Sequence, residues 1–172
     1  VLGMIYRFLK TERFRRILFL VDRTALGEQA QDVFEEVKME DLLTLDDIYN
    51  IKGLEDKTID KETRIHISKV QGMVKRIMYN TGETMPAVSD YDLLIIDDLG
   101  TECLNSMKLS ELFTILNTRI LNLNNKVTKT IISTNLNINN IFKNYEERIG
   151  SRIVGYYDIY YFFGEDLRFK RK

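Results

Sequence analysis

A three-layer α/β fold, with helices on both faces of a parallel sheet, is what this 172-residue sequence predicts. Two observations carry that expectation. Short apolar, β-branched runs alternate with longer stretches whose apolar residues recur at helical spacing. Two of the runs, "ILFLV" and "LLII", are apolar at consecutive positions, which is the pattern of strands buried on both faces. A third observation bounds the size: 44% apolar and 30% charged residues, with no internal repeat, suit one soluble domain over residues 1–172.

In chain order, residues 2–11 place Leu2, Ile5, Tyr6 and Leu9 on one helical face. Arg16 to Asp22, "RILFLVD", reads as a buried strand. The helix that follows has Thr24 as its expected N-cap and Ala25, Leu26, Ala30, Val33, Phe34 and Val37 as its apolar face. Met39 to Glu62 mixes acidic clusters with scattered Leu and Ile and reads as a loop holding one short helix. "TRIHISKV" (63–70) is a second strand, "QGMVKRIMY" the helix after it, and "NTGETMPAVSD" (80–90), with the one proline, a loop. A strand over 92–97 is followed by an amphipathic helix over 107–123 and a β-branched strand over 128–136. "NINNIFKNYEERIGSRIV" reads as helix in two pieces broken near Gly150, and "YDIYYFF" as an aromatic strand before a basic tail.

Bulk composition closes several routes. Twenty-five basic against 26 acidic side chains give no net charge to attract a polyanion, so any nucleic-acid contact has to come from a local patch. The apolar runs are too short to span a membrane, and the first residues lack a signal-peptide cleavage pattern. The single cysteine, Cys103, excludes an internal disulfide and suits a cytoplasmic setting, and with the single His66 it offers no zinc site. His66, inside a strand, reads as packed rather than catalytic.

Ligands of a parallel sheet gather at the carboxyl ends of its strands. Three strands here end in polar residues: Asp22-Arg23-Thr24, Asp97-Asp98 and Ser133-Thr134-Asn135. A carboxylate at the end of "LLIID" can hold Mg²⁺, and the acid beside it can orient a water. Strands also end in Asp simply because loops begin there. Arg148 and Arg152 share a helical face, as candidates to neutralise phosphoryl charge or as surface partners of Glu146 and Glu147. Arg168 follows a tight turn and either faces a nucleotide or belongs to the solvated tail. A phosphate loop, G-x-x-x-x-G-K-[ST], is absent: none of the nine glycines precedes a lysine. Val1 falls where the helix after such a loop would already be under way.

Residues 1–92, through "LFLVDRTALGEQA" and "SKVQGM", resemble the motor subunit of type I restriction enzymes, a DNA translocase. That resemblance implies Arg23, Thr24 and Gln71 near DNA backbone, with Lys69 departing from the small hydroxyl residue usual there. From about residue 91, "LLIIDDLGTE", "KTIISTNL", "YEERIGSRIVGYY" and "FFGEDLRFKRK" resemble the DnaC/DnaI/IstB-type AAA+ helicase loaders. That second likeness implies Asp97 as the Mg²⁺ ligand and Asp98 as the catalytic acid. It implies Asn135 as sensor 1, Arg152 (or Arg148) as the arginine finger, and Arg168 as sensor 2 and nucleotide contact.

Taken together the sequence resembles a join, at a shared strand, of two ATPases with a P-loop-NTPase-like (RecA/AAA+) sheet whose phosphate-loop strand is missing. The implied cofactors are ATP and Mg²⁺, and the implied partners are DNA with a replicative helicase or further copies of the chain. The expected function is a DNA-associated, helicase-loader-type ATPase segment, inactive alone. The alternatives are a DNA-translocase fragment of a restriction motor and a non-enzymatic scaffold. Omitting an interior strand is expected to leave a gap of about 4.8 Å of ladder spacing unless its neighbours close up.

Overall fold

The computed structural model describes residues 1–56, 58–79, 88–121 and 128–164. Its centre is a parallel sheet of five strands in the order β4-β5-β1-β6-β7. These are β1 (Ile17–Val21), β4 (Asn50–Lys52), β5 (Thr63–Lys69), β6 (Leu93–Leu99) and β7 (Lys129–Thr134). A two-stranded hairpin, β2 (Lys38–Glu40) with β3 (Leu43–Thr44), stands apart from it. The helices are α1 (Leu2–Lys10), α2 (Thr24–Glu36), α3 (Leu45–Ile48), α4 (Val70–Tyr79), α5 (Ser106–Leu121) and α6 (Ile138–Tyr156).

Strand alternation sorts the core into two layers. Ile17, Phe19, Val21, Ile65, Ile67, Leu93 and Ile95 face α1 and α2, while Leu18, Leu20, Leu94 and Ile96 face α4, α5 and α6. Every residue of β1 is buried, which is why "ILFLV" is apolar at each position. The three-layer α/β fold expected from the sequence is the fold observed, compatible with the P-loop-NTPase-like sheet.

The expected strand-wide gap does not occur. β1 pairs with β5 on one side and β6 on the other, and β6 pairs in turn with β7. The ladders of these four strands meet directly, so no interior N–H is unpaired for want of a neighbour. Other local expectations shift as well. Arg23, not Thr24, is the N-cap of α2. Residues 39–62 hold a hairpin and the edge strand β4 besides a short helix.

The α6 segment breaks at Glu146 (φ 63°, ψ 158°) rather than near Gly150. Gly150 is helical and buried, and a Cβ there would lie 2.7 Å from the Phe142 ring, so this glycine serves packing. The run from Tyr157 to Phe163 forms no strand. Residues 80–87 of the loop expected over 80–90 lie outside the described residues.

One buried cation ties the second layer to the sheet. Arg119 of α5 is 2% exposed and donates to the carbonyls of Val88 (3.0 Å), Tyr91 (2.6 Å) and Lys129 (2.6 Å). Its fork thereby joins the entry of β6 to the start of β7, a geometry that lysine cannot reproduce. Burial holds its pKa down to about 10, still charged at neutral pH.

Candidate functional site

The carboxyl ends of β1, β5, β6 and β7 lie along one edge of the sheet, because every one of these pairings is parallel. On β6 the ladder with β7 slips between Ile96 and Leu99. An irregularity of this kind re-aims side chains at a strand end. Asp98 sits in it with φ 58°, a left-handed conformation that Asp tolerates better than most residues. Gly100 follows at φ 111°, and the Leu136 side chain lies 2.7 Å from where a Cβ would stand, so only glycine closes this turn.

β7 locks the two aspartates in place. Ser133 Oγ donates to Asp97 Oδ1 at 2.5 Å and accepts from the Asp98 N–H at 3.0 Å. Thr134 Oγ1 donates to the Leu99 carbonyl at 2.5 Å. Asn135 Nδ2 reaches Asp98 Oδ1 at 3.5 Å, the long limit of a hydrogen bond. Asp97, Asp98 and Asn135, singled out in the sequence, are therefore brought together, with Ser133 as the connecting hydroxyl.

Beneath them lies a cleft of about 30 Å³ lined by Asp22, Leu26, Asp97, Asp98, Lys108 and Glu111, among others. Lys108 Nζ pairs with Asp22 Oδ2 at 2.9 Å. Glu111 was not singled out in the sequence. It is 6% exposed, and its Oε2 has no hydrogen-bond partner among the described residues. Burial pushes its pKa up, with neighbouring Lys75 opposing. An acid flanked by Leu109, Leu112 and Ile115 on the inward face of α5 was the signal available for it.

The DNA-side candidates also converge. Arg23 and Thr24 open α2 at the end of β1, and Gln71 lies in the first turn of α4 at the end of β5. All three are exposed. Lys69 Nζ donates to Thr24 Oγ1 at 3.2 Å, bridging the two strand ends. The Arg23 guanidinium donates to the Thr101 carbonyl of the loop after β6, linking this patch to the aspartates.

The arginine candidates lie elsewhere. Arg152 stacks over Phe113 at 4.3 Å and donates to Asn117 Oδ1 at 3.3 and 3.2 Å, both residues of α5. Arg148 stacks over the same ring at 4.9 Å and pairs with Glu146 at 2.9 Å. Their shared helical face is real, and Phe113 is what occupies it. Arg168 lies outside the described residues.

Mg²⁺ uses one or two carboxylates together with phosphate oxygens and waters, and Asp97 and Asp98 meet that requirement. Among the described residues no group of three acid, His or Cys side chains is arranged to hold a metal on its own. The cleft is far below the roughly 300 Å³ at which ligand pockets begin, and the sequence contains no amide-and-lysine cradle for phosphates. The residues fit the metal half of a nucleotide site and not the phosphate half. Among the described residues no helix is long and apolar enough to cross a membrane.

Two comparisons bear on this geometry. Residues 1–99 match the family described as type III restriction enzyme, res subunit. The chain is also similar to the type I restriction enzyme EcoKI endonuclease subunit of Escherichia coli (strain K12), 43% identical over 97 residues. That stretch is 56% of this chain and 8% of that protein, so the chain spans only a small part of its relative's length. The family match runs through the join expected near residue 92 and takes in Asp97 and Asp98. Neither comparison supports the helicase-loader resemblance of the second half.

Proposed function

Since the chain belongs to the family described as type III restriction enzyme, res subunit, we propose that it is a DNA-translocase fragment of a restriction-enzyme motor whose part is to contact DNA. The observation that carries this reading is the placement of the exposed Arg23, Thr24 and Gln71 at the neighbouring carboxyl ends of β1 and β5, with the half-buried Lys69 bridging to Thr24. Exposed donors of this kind suit phosphate oxygens, which fix a protein on a duplex without reading its sequence. The helicase-loader reading rests on the resemblance of the second half alone, and Arg152, its arginine finger, is held by Phe113 and Asn117.

ATP enters this reading only through Asp97 and Asp98, which would hold Mg²⁺ once a phosphate cradle is supplied. The 172-residue chain by itself is inert to ATP. Each preorganised donor removed from a transition state costs roughly 3–4 kcal/mol, and a phosphate loop supplies several.

Fluorescence anisotropy with a short duplex across a salt series tests the proposal. Binding should weaken steadily as salt rises, and Arg23→Ala should lower the affinity and flatten the log–log slope by about one. Absence of binding at low salt, or an Arg23→Ala variant identical to the parent, would overturn the DNA reading. Steady phosphate release abolished by Asp97→Ala would overturn the inert-ATPase part.

A further inference from the structure

The run Tyr156 to Phe163 carries a continuous exposed aromatic surface. Tyr160 is 77% exposed, Phe162 95% and Phe163 92%, with Tyr156, Ile159 and Tyr161 also open. Tyr161 and Phe163 stack at 6.2 Å and 18°, two residues apart, as side chains on one face of an extended strand do. Tyr160 and Phe162 occupy the alternate positions, so both faces are apolar. That is the composition of a strand enclosed within a sheet, yet among the described residues the run pairs with nothing.

The same molecule carries the complementary deficit. β7 is the last strand of the sheet, and among the described residues nothing pairs with its outer side. Lys129 donates its N–H to Asp92 of the β6 segment at 2.8 Å. The alternation of a parallel strand therefore turns the backbone groups of Thr130 and Ile132 outward. Tyr157, hydrogen-bonded to Thr130, sets the aromatic run off from beside this edge.

We propose that a second copy of this chain covers the edge: the 158–163 run of each copy adds as a strand to β7 of the other, closing a two-fold dimer. Reciprocal exchange satisfies both deficits at once and ends at two copies, because the interface is the same patch on each. The size is adequate. Aromatic side chains bury about 150–250 Å² each, so the run offers on the order of 700 Å² per copy. Doubled, that falls within the roughly 1,200–2,000 Å² of stable interfaces.

The test uses the 172-residue chain and the Phe162→Ser/Phe163→Ser double variant, whose changes are at exposed positions and leave the core intact. Sedimentation velocity across about a hundredfold concentration range should show a dimer for the parent and a monomer for the variant. Amide exchange by NMR should show Thr130 and Ile132 protected in the parent dimer and at least tenfold less protected in the variant. Four outcomes would overturn the proposal: a monomeric parent, a variant that still dimerises, a dimer with Thr130 and Ile132 unprotected, or open-ended larger species. A parent that is monomeric with those two amides protected would mean the run folds onto its own β7.

Discussion

Arg119 shows what a single side chain contributes to this fold. Its guanidinium, 2% exposed, serves three backbone carbonyls within 3.0 Å, two at the entry of β6 and one at the start of β7. Truncating it leaves those carbonyls buried with their lone pairs unmet, which costs more than the bonds themselves contribute. Arg119→Met should therefore lower the unfolding free energy by about 3 kcal/mol in urea. Arg119→Lys, keeping the charge but not the fork, should fall between. An Arg119→Met variant within half a kcal/mol of the parent would mean that the carbonyls find other partners. Asp98 makes the contrasting case: its left-handed backbone is a local strain at the site itself, held by Ser133 and Thr101.

Among the elements, α6 offers the clearest strain. Glu146 occupies φ 63°, ψ 158°, a region that suits glycine, inside a segment otherwise helical. Its side chain makes one exposed ion pair, to Arg148, which contributes little in solvent. Glu146→Gly should raise stability by about 1 kcal/mol and the melting temperature by a few degrees, readable by circular dichroism. A fall instead would show that the ion pair outweighs the backbone strain. The sequence placed this break at Gly150 because glycine ordinarily disfavours helix, whereas here it admits the Phe142 ring.

The same contrast governs what was legible elsewhere. β1, β5 and β6 announce themselves because both of their faces are largely buried, and β7, half-buried, through its β-branched run. β2, β3 and β4 are short, half-exposed and polar, and carry no such signature. Asp97, Asp98 and Asn135 could be read as a group because strand ends share an edge. Glu111 escaped because its helix looked merely amphipathic, and the engagement of Arg152 by Phe113 depends on a crossing of α5 and α6 that spacing does not encode. The expected strand at Tyr157–Phe163 failed for the opposite reason: the propensity is present, but the partner edge is not engaged.

At the scale of the whole molecule, His66 joins parts that no single element holds together. It is fully buried on β5, with Nδ1 2.6 Å from the Tyr91 hydroxyl and Nε2 3.2 Å from the Asp56 carbonyl. Both ring nitrogens thus have polar neighbours, and which of them donates depends on the tautomer. Arg76 of α4 lies 3.4 Å from Nε2 and donates to the same Asp56 carbonyl at 3.0 Å. Sheet, α4, the Asp56 carbonyl and the entry to β6 thus meet at one imidazole. Burial first, and then the Arg76 charge, hold its pKa down to about 4, from an ordinary 6.5. The unfolded chain therefore binds the proton more readily than the folded one below pH 6.5. Stability should fall as pH drops through that value and stop falling, on this account, below about 4. The lowered pKa corresponds to a loss on the order of 3 kcal/mol at the acid end. Asp47 and Asp60, whose pKa values are lowered by hydrogen bonds from Thr44 and Thr63, lose stability only at more acid pH. Asp46 and Glu111, whose pKa values are raised by burial, act in the opposite direction. The contribution of His66 is isolated by difference: urea midpoints of the parent and His66→Gln, measured from pH 7.5 to 4. The variant should be less stable at pH 7.5, and the two curves should converge as the pH falls. Parallel curves across that range would show that the buried imidazole carries no linkage, and that its role is one of packing alone.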